Sequence, residues 1–303
     1  MDLVFILNQT FNGLSLASIL LLAALGLALS FGLMRVINMA HGEMLMLGGV
    51  TAYLVQNSVG ANSLSLWLAL PAAFIVTALL GLLLEVTIIR WLYGRPLDTL
   101  LATWGISLML QQAVILWQPF GVSFVAPTWL NGALRVSGGP LAGVSLPYVR
   151  IFVILLSVVV LVGLALLLRY TRLGLHVRAV NQNRDMAAAL GINTRQVDRI
   201  VFALGTGIAG LAGAALATIS PITGIIGSSY IVNAFLVVIV GGVGSIWGAA
   251  LAALSLGFST SFFESFYSVS YAKVIILLLV IGFLQLRPRG FIVTRSRALE
   301  EGA

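Results

Sequence analysis

Residues 35–43, Arg-Val-Ile-Asn-Met-Ala-His-Gly-Glu, place four polar side chains between two long apolar runs. Ionisable groups at membrane depth are costly, and they face a protein interior or a wet cavity. Asn38, His41 and Glu43 are close enough in sequence to share one broken-helix junction, where they would line or gate a path for a polar solute. A short turn at the lipid headgroups, anchored by Arg35, fits the same residues. A second set lies at Trp104, Ser107 and Gln111, spaced by three and four and so on one helix face, with Gln112 beside it. Such donors and acceptors suit an uncharged polar solute, and hydrogen bonding between helices is the competing explanation. Asn233 and Glu264 are further polar positions in apolar surroundings, structural by default.

Catalytic patterns are missing. The phosphate-binding pattern GxxxxGK[ST] is absent, and the single lysine, Lys273, follows Tyr271-Ala272. Neither His-Glu-x-x-His nor Gly-x-Ser-x-Gly occurs. With no cysteine, thiolate metal sites and cysteine nucleophiles are excluded, and His41 and His176 stand in unlike settings. No catalytic residue and no metal set emerges, and nothing here hydrolyses nucleotide.

A third set lies within 169–199. Asn183 is a good helix N-cap, Asp185 falls in the first turn, and Ala187, Ala188, Ala189 and Leu190 favour helix. Gly191 then fits the left-handed residue that ends a helix. The spacing predicts a helix of about two turns, too short to stand without a surface to pack on. Its alanines would admit another chain closely, and the flanking Arg178 and Arg184 could pair with acidic groups or lipid phosphate. An ordinary interfacial loop helix fits the same residues.

The elements that must position these sets follow from where charge is missing. The chain has 303 residues, 60% hydrophobic and 8% charged, with a mean hydropathy of +1.10. Soluble domains carry about 25% charged residues, so a soluble fold and disorder are both excluded. Residues 3–34, 44–84, 99–134 and 200–263 contain no ionisable Asp, Glu, Lys, Arg or His. A spanning helix takes about 20 apolar residues. The apolar runs lack period-two alternation, so they are helices and not strands of a barrel. The expected fold class is all-α, one polytopic transmembrane bundle over 1–303 with eight to nine spans. The expected spans are 12–34, 40–57, 65–89, 99–118, 150–168, 200–220, 229–244, 247–263 and 272–286, of which 40–57 and 229–244 are short enough to be broken or re-entrant.

The net charge of +7 also has an address. Six arginines stand in 169–199, two in 90–98, and four in the tail 287–303. By the positive-inside rule these segments, and the C-terminus, are cytoplasmic, and nine spans put the N-terminus outside. The basic excess thus reports topology and membrane lipid, with no nucleic acid partner implied. The loop 119–149 then lies outside; Pro119, Pro127, Pro140 and Pro147 give it turn chemistry, as an ordered, irregular cap or a docking surface. Small residues recur every four positions at Gly205, Ala209, Gly213 and Ala217 and at Gly244, Gly248 and Ala252, a pattern for close helix packing. The run Gly241 to Ser245 could alternatively be an unwound stretch lining a path.

With these motifs in place, the chain resembles the LivH-type permeases of bacterial ABC importers, which take up hydrophobic amino acids and amides. The resemblance starts at 35–43 and continues through Tyr93-Gly94-Arg95-Pro96, Arg178-Ala179-Val180 and Gly191-Ile192-Asn193. It resumes at 241–245 and ends at Arg287-Pro288-Arg289-Gly290, so it covers nearly the whole chain. Residues 38–43, 103–107 with Gln111-Gln112, 182–188 and 229–235 look closest to the urea permease branch, although that branch would carry an acid where Asn233 stands. The resemblance implies a permease subunit of the bacterial inner membrane moving urea or a short amide, with branched-chain or other hydrophobic amino acids as the alternative cargo. It implies a second homologous permease, two cytoplasmic ATPase subunits that carry ATP and magnesium, and a periplasmic or lipid-tethered solute-binding protein. No cofactor is implied in this chain. Residues 184–190 map onto the coupling helix that docks in the ATPase, with Arg178, Asn183, Arg184, Asp185, Ala187, Ala188, Leu190 and Gly191 as its candidate residues.

Overall fold

The structure, a computed structural model, describes residues 3–34, 36–135 and 143–292. Arg35, part of 119–149 and most of the tail 287–303 lie outside the described residues. The chain forms α1 (Leu3–Met34), α2 (His41–Val59), α3 (Ser63–Thr87), α4 (Pro96–Trp117) and α5 (Tyr148–Tyr170). It continues through α6 (Arg172–Gln182), α7 (Arg184–Ala189), α8 (Thr194–Ala217), α9 (Ile226–Gly241), α10 (Ile246–Phe266) and α11 (Val269–Leu286). Strands β1 (Ala133–Arg135) and β2 (Ser145–Pro147) form a small antiparallel hairpin, a regular element within a loop expected to be irregular.

Seven of these helices are long and apolar enough to cross a membrane. Helix α2, with 19 residues, carries His41, Glu43 and Gln56, and α9 has only 16 residues. Together the nine match the expected spans in order, with α1 starting at Leu3 and not at 12. The chain is a polytopic helical bundle.

Helices α1 and α8 form its centre: 83% and 78% of their apolar windows are buried, against 17% for α5 and for α11. Helix α8 packs on α1, α2 and α3, while α1 also packs on α9 and α10. The small residues of α8 allow this. A methyl group at Gly205 would stand 2.6 Å from the carbonyl oxygen of Gly26, and one at Gly213 would collide with the backbone of Leu45. Lipid tails are as apolar as the helices, so close backbone contact holds the bundle where hydrophobic burial cannot. The outer faces of α4, α5 and α11 are apolar and exposed, as a lipid-facing or partner-facing surface requires.

Two helices start inside the bundle. After α1 the chain turns back as a non-helical segment, 36–40, and α2 begins only at His41. There the His41 ring donates from Nε2 to the carbonyl of Ala23, 3.0 Å away, well within α1. The segment's own amides are answered by side chains: Ala40 N–H donates to Asn38 Oδ1 and Met39 N–H to Thr103 Oγ1, both at 3.0 Å. On the far side, α8 ends at Ala217 and the chain returns through Ile222, which pairs with Val122 in the loop after α4. Helix α9 then starts beside α2, where Gly227 meets Gly42. The run 241–245, read as a possible unwound stretch within the membrane, is instead a tight turn at the end of the bundle. Gly242 and Gly244 have φ of 97° and 81°, and Phe291 and Ile292 hydrogen-bond to Val240 and Gly241. Mid-bundle unwinding occurs at 36–40 and before α9.

The two ends differ. At the proline-rich end Gln56 clamps the loop by donating to Val125 O (2.7 Å) and accepting from Val125 N (2.8 Å). Asn8 near the start of α1 bonds to Ser145 in the same loop. The other end gathers the arginines on 88–95, α6, α7 and the chain after α11.

If backbone contact between α1 and α8 holds the bundle, Gly205→Ala costs about 1–3 kcal/mol. Gly163→Ala on α5, where a methyl meets nothing within 4 Å, is neutral or stabilising. Thermal unfolding in detergent separates the two, and equal midpoints would contradict the packing account.

Candidate functional site

The broken start of α2 brings the first set of polar residues together with α4. Glu43 is fully buried, at 0% exposure. Its Oε1 accepts from Ser107 Oγ at 3.0 Å and from Gln111 Nε2 at 2.8 Å, and Gln111 also donates to Ser107 at 3.1 Å. Ser107 lies midway along α4, a helix of 22 residues, so this cluster stands about 16 Å from either end of it. Asn38 and His41 are buried in the same junction, 0% and 2% exposed. The structure therefore places 36–43 inside the bundle and not in a turn at the headgroups.

Three candidates are left out. Trp104 is 51% exposed, Gln112 is exposed, and Asn233 is half-buried one position before the buried Ala234. The reason is helical phase. The inner face of α4 runs through Thr99, Thr103, Ser107 and Val114, and Trp104, one residue from Thr103, is turned about 100° away. Thr103 is the residue the sequence reading passed over, though Thr99, Thr103 and Ser107 recur at every fourth position. His41, tied through its ring to Ala23, fixes the start of α2 against α1. Glu264 is exposed on α10 and is no part of this site.

The arginine-rich end holds a second cluster. Glu85 takes a hydrogen bond from Tyr93 Oη at 2.9 Å and pairs with Arg199 Nε at 3.3 Å, not with Arg90, its nearest basic residue in sequence. Arg90 turns onto the ring of Trp91. Arg184 pairs with Asp198, which is fully buried, and its guanidinium lies 5.7 Å from the ring of Tyr93. Burial, with the carboxylates of Asp198 and Glu85 beside it, pushes the Tyr93 phenol far above its ordinary range, so it remains a donor. These contacts fasten α7 to α8 and to the segment after α3.

Segment 169–199 contains two helices where one was expected. Thr171 caps α6 by accepting from Gly174 N, and Asn183 caps α7 by accepting from Met186 N at 2.9 Å. Leu173, Val177 and Val180, at spacings of four and three, give α6 its inward face. Gly191 has φ of 85°, the left-handed residue expected there. Ala187 is buried against the chain itself, and Arg178 bonds back to the Leu168 carbonyl at the end of α5. The outward face of α7 is formed by Asp185, Met186, Ala188 and Leu190, with Met186 58% and Leu190 76% exposed.

The profile of the family described as branched-chain amino acid transport system permease component matches residues 9–284. The chain is a member of that family. It is 32% identical to the high-affinity branched-chain amino acid permease BraD of Pseudomonas aeruginosa, covering 94% of this chain and 95% of that protein. The corresponding LivH protein of Salmonella typhimurium is 29% identical over 95% of this chain and 96% of its own length. A probable LivH of Methanocaldococcus jannaschii is also 29% identical, over 90% and 88%. No solved structure matches the chain. As a family member it is a multi-pass transport subunit and not an enzyme. The urea branch suggested by 38–43 and 103–112 gains no support from these relatives, whose names state branched-chain amino acids.

In this permease the Arg184–Asp198 pair gives an asymmetric prediction. Arg184→Leu strands a buried carboxylate and costs about 3 kcal/mol, whereas Asp198→Asn leaves a half-exposed guanidinium that water can solvate and costs about 1 kcal/mol. The double variant recovers much of the first loss. Thermal unfolding of the three variants checks this, and equal single losses would contradict it.

Proposed function

We propose that this permease is the membrane-spanning subunit of an inner-membrane ABC importer carrying branched-chain or other hydrophobic amino acids inward. The match of the family profile over 9–284 carries the reading. It is supported by the ionisable group in the middle of the bundle, since a zwitterion demands charge partners that urea does not. The arginine-rich end faces the cytoplasm by the positive-inside rule, which places the C-terminus inside and the proline-rich loop outside, where a solute-binding protein would deliver its cargo. A second homologous permease and two ATPase subunits, holding ATP and magnesium, complete the complex.

Helix α7 is the coupling helix in this reading. Its exposed Met186, Ala188 and Leu190 enter a cleft of the ATPase, while Ala187 and Arg184 hold it to the permease. Closure of the ATPase pair on ATP moves α7. Through Asp198 that motion reaches α8, which packs on α1 and α2 at the junction carrying Glu43. The path through Asn38, Glu43, Ser107 and Gln111 then alternates between the two sides as nucleotide shifts the populations.

Vesicles containing the reconstituted complex are expected to accumulate leucine, isoleucine and valine with ATP, and not urea. Urea accumulation without leucine would reverse the substrate reading. Ala188→Trp is expected to lower ATPase co-purification or solute-stimulated hydrolysis on the order of tenfold, about 1.4 kcal/mol. Full retention of both would remove α7 from the docking role.

A further inference from the structure

Among the described residues, four buried side-chain atoms lack a hydrogen-bond partner: Asn38 Nδ2, Glu43 Oε2, Glu85 Oε2 and Arg199 Nε. The last two lie 3.3 Å apart and answer each other as an ion pair. The other two, one donor and one acceptor, both belong to the 36–43 junction. Buried polar atoms almost always find partners, and an orphan costs about 1–3 kcal/mol. Two orphans of opposite character in one junction point to a ligand bringing one donor and one acceptor.

The surroundings narrow the donor. Glu43 Oε1 is fully engaged by Ser107 and Gln111, and no lysine or arginine among the described residues pairs with this carboxylate. Oε2 faces the start of α9, where a methyl on Gly227 would stand 2.6 Å from it and 2.6 Å from the Gly42 carbonyl oxygen. That helix start has no side-chain cap, and the amides of Gly227 and Ser228 have no acceptor among the described residues. A buried carboxylate without a counter-charge calls for a cation. The uncapped amides and Asn38 Nδ2 call for an anion or a carbonyl.

We propose that this junction is the permease's own subsite for the α-amino acid head group. The solute ammonium binds Glu43 Oε2, and its carboxylate takes donors from Asn38 Nδ2 and the first turn of α9. Ser107 and Gln111 are positioning residues that fix the carboxylate plane. Gly42 and Gly227 let the backbones of α2 and α9 meet here, where any side chain would collide. The inference rests on the amino acid reading of the cargo. In this structure the subsite is closed: the crevice beside it, lined by His41, Gly42, Tyr230 and Ala234 among others, has no space for even a water molecule. Admission of solute therefore requires α9 and α2 to part, which the drive through α8 supplies.

The test uses the complete complex with its ATPase and binding-protein partners in proteoliposomes, with labelled leucine as probe. Glu43→Gln keeps an oxygen for Ser107 and Gln111 but turns the free acceptor into a donor. Leucine uptake is expected to fall on the order of tenfold or more, as when a polar site loses its matching group. Asn38→Asp, which turns the free donor into an acceptor, is expected to fall similarly and serves where the first variant does not assemble. Direct binding is read by saturation transfer to the permease–ATPase complex without binding protein. Wild type is expected to show leucine but not 4-methylpentanoate, which lacks the amine, and Glu43→Gln to lose the leucine signal. An assembled Glu43→Gln complex with unchanged leucine uptake and signal would overturn the subsite, a proton or water then being the occupant of Oε2. Wild-type uptake of urea without leucine would sink the cargo reading instead.

Discussion

Inside a lipid bilayer every backbone N–H and C=O needs a partner within the protein, and this constraint governs the bundle wherever its helices break. Seven of the described helices are long and apolar enough to cross without a break. The chain also unwinds at 36–40 and before α9, and the break at 36–40 is answered by side chains. Asn38 and Thr103 answer the amides of Ala40 and Met39, and the His41 ring ties the new helix start to Ala23. What looks in sequence like a polar interruption is thus a set of replacement bonds. The two side-chain atoms left over, on Asn38 and Glu43, are the ones the break does not need.

Close packing of α8 makes those breaks possible. Because Gly205 and Gly213 let α8 approach the backbones of α1 and α2, the centre of the bundle is rigid on both sides of the junction. The same helix begins at the arginine-rich end, where Asp198 holds Arg184 of α7. One rigid element therefore has the coupling segment at its start and the Glu43 junction along its length. Rigid elements with two discrete arrangements are the form in which motion passes between distant sites.

Much of this was legible in the sequence, for physical reasons that differ by residue. The spans could be read because apolar length alone decides them. Asn183, Asp185 and Gly191 marked α7 because capping is local chemistry. Helix α6 went unread although Leu173, Val177 and Val180 carry its period, since the charge of the segment masked it. Trp104 was assigned to the inner face and Thr103 passed over, because spacing gives relative phase and not which face turns inward. Proximity in sequence would match Glu85 with Arg90, whereas its partners, Tyr93 and Arg199, meet it through the approach of α3 and α8.

By itself the sequence determined that this is an all-α polytopic membrane protein, with its charge collected at one end and no nucleotide chemistry of its own. Those properties follow from composition and local pattern, which act residue by residue. Only the tertiary structure decided that 36–40 lies within the bundle, that Glu43 meets Ser107 and Gln111 from another helix, and that Arg184 turns inward to Asp198. Each of these depends on which helices are neighbours. That is set by small-residue contacts between segments far apart in the chain, and the pairing of such contacts cannot be read from one strand of sequence.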